Sequence, residues 1–331
     1  RATVDNLTGY ISQKNLNSAA NSILNGGVVA FPTETVYGLG ALASNNEAIN
    51  RVYEIKKRPK NNPLIVHIHS FKAIVSIVKY IPDYAYKLTE KFWPGPLTLV
   101  LPYKTSGKIN ARARANLDTV AIRIPNNPIT LKLLKKINLP IIAPSANLSQ
   151  HLSPTKATHV LKDLGSRLDP LKDMILDGGE CNLGIESTVV DVTSDVPIIL
   201  RLGGINSSVI SKTLNIEVKI QKSLREKMKS PGMMKKHYSP KTELRLNAEM
   251  PIHGEVWLGF GKEIKKHDVK SKNLSVKGNI EEAAVNLYSM LRELDEHMAQ
   301  RIAVAKIPNQ GIGEAINDRL KRGAIKKSLI Y

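Results

Sequence analysis

Three hydroxyls and a carboxylate leave the end of one short apolar run. The chain reads Gly26-Gly27-Val28-Val29-Ala30-Phe31-Pro32-Thr33-Glu34-Thr35-Val36-Tyr37-Gly38-Leu39-Gly40. Paired glycines signal a turn, and the apolar, β-branched run from Val28 to Phe31 predicts a strand. Pro32 cannot donate a ladder hydrogen bond, so the strand closes there. Thr33, Glu34, Thr35 and Tyr37 then stand at a strand's carboxyl end, where open α/β sheets bind ligands. Gly38 and Gly40 let the backbone approach something closely. A site for a small polar ligand is one reading. A strand, a threonine-rich turn and a helix start is the other.

A second cluster is cationic: Lys56-Lys57-Arg58-Pro59-Lys60-Asn61-Asn62-Pro63. Three adjacent cations repel, and holding them on an ordered turn favours an anion in reach. Lys56 and Arg58 flank Lys57 and could face one phosphate chain. The plainer alternative is a solvated helix C-terminus, where cations complement the dipole. His67 and His69 share one face of the predicted strand Leu64 to His69, and no third metal ligand lies nearby, so a substrate-binding histidine is preferred to a metal site. Arg123 stands within the apolar strand Thr119 to Pro125, a costly position unless an anion pairs with it, whether from the protein or from a ligand. Ser145 and Asn147 follow the apolar run Leu139 to Ala143 through Pro144. Glu186-Ser187-Thr188 and Arg201 again place polar groups beside strands. Gly38-Leu39-Gly40-Ala41-Leu42-Ala43 fits the G-x-G-x-x-G/A dinucleotide pattern. That pattern needs a strand immediately before it and an acid about 20 residues on. Polar residues precede it here and cations follow at that distance, so no nicotinamide or flavin site is expected.

The 331 residues suffice for one large or two ordinary domains, and 42% hydrophobic content supports a real core. No apolar run approaches the roughly 20 residues of a membrane span, so no membrane partner is expected. Cys181 is the single cysteine, which excludes an intrachain disulfide and fits a reducing, cytoplasmic setting. The formal net charge of +19 speaks to anionic partners, nucleotides or RNA, although lysine is scattered over most of the chain.

The elements that must position these residues alternate. Leu16 to Leu24 and Glu47 to Lys57 have helical spacing, and short apolar strands intervene repeatedly up to a helix from Ser207 to Leu214. The expected fold is therefore α/β, a twisted mixed sheet with flanking helices over residues 1–216, whose polar strand ends form one composite pocket. Residues 217–243 read as a basic linker, in which Met233, Met234, His237 and Tyr238 could cover a ligand. Residues 244–331 predict a smaller α/β domain. It has a strand near Glu255 to Leu258, a long helix from Ile280 to Met298, a strand from Arg301 to Ile307 and a last helix through Leu320.

Taken together these motifs resemble the YrdC-like family of threonylcarbamoyl-AMP synthases, in its long, two-domain form. The likeness rests on Phe31-Pro32-Thr33-Glu34-Thr35-Val36-Tyr37-Gly38-Leu39, Lys56-x-Arg58-Pro59, Asn62-Pro63-Leu64, Trp93-Pro94-Gly95-Pro96-Leu97-Thr98, Ala143-Pro144-Ser145-Ala146-Asn147 and Glu186-Ser187-Thr188. Ser230-Pro231-Gly232-Met233 and His237-Tyr238-Ser239-Pro240 resemble the linker of the long members. The resemblance implies condensation of L-threonine, bicarbonate and ATP into threonylcarbamoyl-adenylate and pyrophosphate. It implies a product passed to a tRNA threonylcarbamoyl transferase acting beside the anticodon. Lys56 and Arg58 would neutralise the phosphates and act as the catalytic pair. Asn62, Thr119, Ala143, Ser145, Asn147, Ser153, Arg201, His237 and Tyr238 would complete the ATP site. Thr33, Thr35, His67, Arg123 and Ser187 would bind threonine. Mg2+ would arrive on the ATP phosphates, with no dedicated metal site. Two rivals stand beside this reading: a non-catalytic RNA-binding protein, with weak RNA contact through the basic surface, and a carbamoyltransferase using carbamoyl phosphate.

Overall fold

The computed structural model describes residues 8–9, 13–221, 237–263 and 266–325. Met233 and Met234 of the expected linker lie outside them. In chain order the first part comprises β1 (Thr8–Gly9), α1 (Gln13–Leu24), β2 (Val29–Phe31), β3 (Gly38–Leu42), α2 (Asn46–Lys56), β4 (Ile65–His67), α3 (Asp83–Phe92), β5 (Leu97–Pro102) and β6 (Thr119–Arg123). It continues through α4 (Pro128–Ile137), β7 (Ile141–Ile142), α5 (Ala157–Leu164), β8 (Met174–Leu176), β9 (Thr188–Asp191), β10 (Ile198–Arg201), α6 (Ser207–Leu214) and β11 (Lys219–Ile220). The second part contains β12 (Glu243–Ala248), β13 (Glu255–Gly259), β14 (Ser271–Asn273), α7 (Ile280–Asp295), β15 (Arg301–Ala305) and α8 (Gly313–Gly323).

Among the described residues the first eleven strands form one mixed sheet in the order β1-β8-β2-β3-β7-β4-β6-β5-β9-β10-β11. The last four form a parallel sheet in the order β12-β15-β13-β14. This is the expected mixed α/β architecture with a smaller α/β unit after it. The stretch that mimicked a dinucleotide loop is strand β3, buried along its whole length and paired with β2. Its glycines are there for space, since a Cβ on Gly40 would stand 2.4 Å from the Phe31 ring.

Register brings distant residues side by side. Parallel pairing of β4 with β6 sets His67 opposite Arg123, and antiparallel pairing of β4 with β7 sets His67 opposite Ile141. An isolated bridge joins Gly38 to Ser145. Helix α2 begins with the Asn45 side chain accepting from the Ala48 N–H at 3.0 Å. It ends with Lys57 in the left-handed conformation, φ 53°. Its inward stripe is Ala48, Ile49, Val52, Tyr53, Ile55 and Lys56. The four-residue step from Val52 therefore carries a lysine onto the apolar face.

The two parts share a core. One apolar cluster takes Val36, Leu152 and Ile185 from the first part, with Leu287, Tyr288, Leu291 and Ile316 from α7 and α8. Polar ties reinforce it: Arg292 pairs with Asp163 at 2.9 Å, and the Ser207 N–H donates to Glu314 at 3.2 Å. The tightest approach is at Gly184, which has φ +84°. A Cβ there would stand 2.5 Å from the Ala284 carbonyl oxygen and 2.7 Å from the Val285 Cα. Gly184→Ala combines a strained φ with a clash against helix backbone. It is expected to cost about 2–4 kcal/mol of stability, read as a lowered urea midpoint. A midpoint equal to that of the parent chain would show that α7 has room to move.

Candidate functional site

The carboxyl end of the central strands opens into a cavity of about 520 Å3. Thr35, Lys56, Arg58, Asn62, His67, Arg123, Ala143, Ser145, Asn147, Ser187, Arg201, His237 and Tyr238 all line it. Segments from residue 35 to residue 238 thus converge, as the sequence reading required. Three of the proposed contacts do not reach the wall. Thr33 lies beneath it, its hydroxyl donating to the Val36 carbonyl at 2.7 Å and bridging to the Thr35 hydroxyl at 2.8 Å. Thr119 is on the same face of β6 as the lining residues Ala121 and Arg123, one pleat further out. Ser153 is buried, its hydroxyl donating to Glu186 Oε2 at 2.6 Å. His69 lies off the wall and contacts the Asn138 side chain instead, so the two histidines of the strand do not act together.

Cations dominate the cavity. Lys56 is 1% exposed, and its ammonium donates to the Ser145 and Asn147 carbonyls at 2.5 and 2.6 Å. Arg58 donates to the Pro63 carbonyl at 3.0 Å while its Nε, buried, has no partner among the described residues. Arg201 reaches the Ser187 carbonyl and hydroxyl, each at 3.0 Å. Among the described residues none of these three makes a salt bridge to a carboxylate. Burial depresses the Lys56 ammonium well below its ordinary range, and the nearby Arg58 lowers it further. Asn147 Oδ1 and Ser149 Oγ, also on the wall, are buried without partners among the described residues. Polar atoms left this way are costly unless something else satisfies them.

Two carboxylates beside the cavity, Glu34 and Glu186, are both tied. Arg123, 4% exposed, forms a salt bridge with Glu34, and donates to the Thr35 hydroxyl at 3.1 Å and the Gly95 carbonyl at 3.2 Å. Glu34 also accepts from the Asn126 N–H at 2.7 Å. The partner of Arg123 in the structure is therefore a protein carboxylate, one of the two possibilities its position left open. A guanidinium has five N–H donors, so two remain for a ligand. Glu186, on the wall, accepts from Ser153, Tyr288 and Arg319. Arg319 and Arg201 hold its carboxyl down to about 2 despite burial. Ser149, Gln150 and Glu186 were not among the residues expected to line the cavity. Glu186 had a signal, standing before Ser187 beside a strand. Ser149 and Gln150 had none.

His67 is 3% exposed, and its Nδ1 donates to the Ile65 carbonyl at 3.0 Å. Burial pulls the imidazole down to about 4 from 6.5. The ring is neutral with its proton on Nδ1, which leaves Nε2 as an acceptor. Cys181 is buried, and burial pushes its thiol up to about 12, so it is no nucleophile. Acidification is expected to destabilise the fold through this site. The unfolded chain binds a proton at His67 below about 6.5 while the folded chain refuses it down to about 4. Glu186 then loses its contribution as pH falls from 4.5 toward 2. Urea midpoints should fall steadily below pH 6.5, and His67→Gln should reduce the loss between pH 6.5 and 4 by roughly 3 kcal/mol. Parallel stability–pH curves for the two proteins would contradict the buried neutral imidazole.

Comparison with known proteins agrees on one family. The family model described as telomere recombination, Sua5_yciO_yrdC, matches residues 21–203. The model of the threonylcarbamoyl-AMP synthase C-terminal domain matches residues 205–324. A threonylcarbamoyl-AMP synthase of Bacillus subtilis is 40% identical over 314 residues, covering 90% of this chain and 89% of its own. One from Pyrococcus abyssi is 38% identical, covering 96% of each. The crystal structure of P. abyssi Sua5 complexed with L-threonine superposes with a TM-score of 0.83 at 36% identity, over 96% of each chain. Full-length HypF, in a phosphate- and nucleotide-bound form, has a TM-score of 0.50 at 20% identity and covers 57% of this chain, a likeness of fold. The chain therefore belongs to the Sua5/YciO/YrdC family, in the form that carries the threonylcarbamoyl-AMP synthase C-terminal domain.

Proposed function

We propose that this chain is an L-threonylcarbamoyladenylate synthase that condenses L-threonine, bicarbonate and ATP into threonylcarbamoyl-AMP and pyrophosphate. The observation that carries the reading is a cavity walled by an ammonium and two guanidiniums that make no salt bridge to a carboxylate among the described residues. Such a wall suits a phosphate chain. Lys56 and Arg58 would take the phosphates and the charge growing on pyrophosphate, with Arg201 beside them. Asn62, Ala143, Ser145, Asn147, His237 and Tyr238 would line the rest of the nucleotide's path. Thr119 would be met by a part of the nucleotide that extends beyond the cavity wall, and Ser153 would act through Glu186.

The other side of the cavity suits an amino acid. The free N–H groups of Arg123 match a carboxylate, Thr35 and Ser187 offer hydroxyls, and Thr33 braces Thr35. His67 Nε2 is an acceptor available to the amine or the hydroxyl of threonine. In the reaction the amine of threonine and bicarbonate form a carbamate and release water. A carbamate oxygen then bonds to the α-phosphorus as the bond from that phosphorus to the bridging oxygen breaks, and pyrophosphate leaves. Positioning and charge carry this chemistry, with no covalent enzyme intermediate. Mg2+ keeps much of its water and binds phosphate oxygens readily, so we place it on the nucleotide.

The product would pass to a tRNA threonylcarbamoyl transferase in the cytoplasm. A purely RNA-binding role suits an exposed basic stripe better than cations enclosed in a cavity. A carbamoyltransferase role finds no support in the second unit, which matches the synthase C-terminal domain. Pyrophosphate release that requires both threonine and bicarbonate tests the proposal directly, and release without either one would refute it. Arg58→Ala is expected to lower that rate about 10²–10³-fold with an unchanged melting temperature. Near-normal turnover would remove Arg58 from the phosphate site.

A further inference from the structure

A buried cluster joins the second unit to the cavity wall. Glu186 of the first unit accepts from the Tyr288 hydroxyl at 2.8 Å and from Arg319 Nε at 3.0 Å, and both donors come from the second unit. Tyr288 and Arg319 are 0% and 1% exposed. The Arg319 guanidinium lies 4.8 Å from the centre of the Tyr238 ring, and Tyr238 stacks on Tyr288 with ring centres 6.3 Å apart. Tyr238 lines the cavity in a left-handed conformation, φ 54°. A non-glycine residue keeps that conformation only where its surroundings impose it. The imposition is visible: the Ser239 hydroxyl donates to the Gly323 carbonyl at 3.0 Å, and a Cβ on Gly323 would stand 2.8 Å from the Tyr238 carbonyl oxygen.

Glu186 stands beside a competitor for the ligand. Arg201 bonds to Ser187, the next residue, through both carbonyl and hydroxyl. An ionised Glu186 without its present donors would be a buried unpaired charge, and Arg201, whose charge already acts on it, is available to satisfy it. We propose that Arg319 and Tyr288 are positioning residues for the nucleotide site: they occupy Glu186 so that Arg201 stays free for phosphate, and they seat Tyr238 against the cavity. This gives the second unit a task in the reaction. It rests on the nucleotide-binding part of the proposed function.

The test is binding of the analogue α,β-methylene-ATP by calorimetry, with ATP and threonine KM values from pyrophosphate release and melting temperatures alongside. Arg319→Met leaves Glu186 charged and short of a cation. Its analogue Kd and ATP KM are expected to rise about tenfold, with the threonine KM changing less than about threefold. The double variant Glu186→Gln, Arg319→Met removes the charge that captures Arg201, and is expected to recover an analogue Kd within about threefold of the parent. A purely structural role for Arg319 predicts no such recovery. An unchanged Kd in Arg319→Met overturns the proposal whatever the melting temperature does, and so does a double variant as weak as the single one. Should Arg319→Met fail to fold, Tyr288→Phe keeps the ring and removes the hydroxyl. An analogue Kd about threefold weaker supports the proposal, and an unchanged one overturns it. If the parent chain binds the analogue but releases no pyrophosphate with threonine and bicarbonate, the proposed reaction fails while the binding comparison stands.

Discussion

Lys56, Arg58 and Arg201, held in low dielectric without a salt bridge to a carboxylate among the described residues, are what the rest of the molecule is arranged around. Desolvating an ammonium is expensive, and a protein ordinarily compensates with a carboxylate. Lys56 has two backbone carbonyls instead. Carbonyl oxygens stabilise the charge without cancelling it, so the positive potential stays available to a ligand. The acids beside the site have other partners: Asp163, whose charge reaches Lys56, pairs with Arg292. Glu34 is taken by Arg123 and a backbone N–H. Glu186 is taken by Ser153, Tyr288 and Arg319. A site that must attract a polyanion in a chain containing 29 acidic residues needs this separation as much as it needs the cations.

Much of the scaffold was legible because it follows local rules. Asn45 before Glu47, and Pro59 after the cationic turn, bracket helix α2, and the apolar steps along it place Lys56 inward. Strand β3 was not legible, since two glycines in five residues remove the β signal; it exists because Gly38 and Gly40 allow Phe31 and Ala143 to pack against it. Strands β12 and β14 were missed for a related reason, as polar, partly exposed strands of a parallel sheet show little alternation.

The cavity itself was legible as a set of strand ends, and its wiring was not. Arg123 and Glu34 are 89 residues apart, and Glu186 and Arg319 are 133 apart. No local pattern announces such pairs. Ser153 shows the consequence. Read as a ligand contact, it proves to be a donor to Glu186, one layer behind the wall. Tyr288 and Arg319 read from sequence as ordinary members of helices, Tyr288 beside the apolar stripe of α7 and Arg319 among the charges of α8. Only the packing of two units reveals that they point at the catalytic side of the molecule.

The arrangement also shows how this chain divides the work between its two units. Carbamates and mixed anhydrides with AMP are attacked by water, so the cavity must be closed while it is charged. The side chains that would close it, His237 and Tyr238, line the cavity and are held from the second unit by the end of α8. Burial lowers His237 to about 3, so the imidazole adds no charge of its own to a cavity already rich in cations. A neutral aromatic pair excludes water without competing for the phosphates. A charged lid would have done one task at the expense of the other, and the same unit that anchors the lid also removes Glu186 from the contest for Arg201. Covering the site and preserving its potential are therefore one structural problem, solved at one interface.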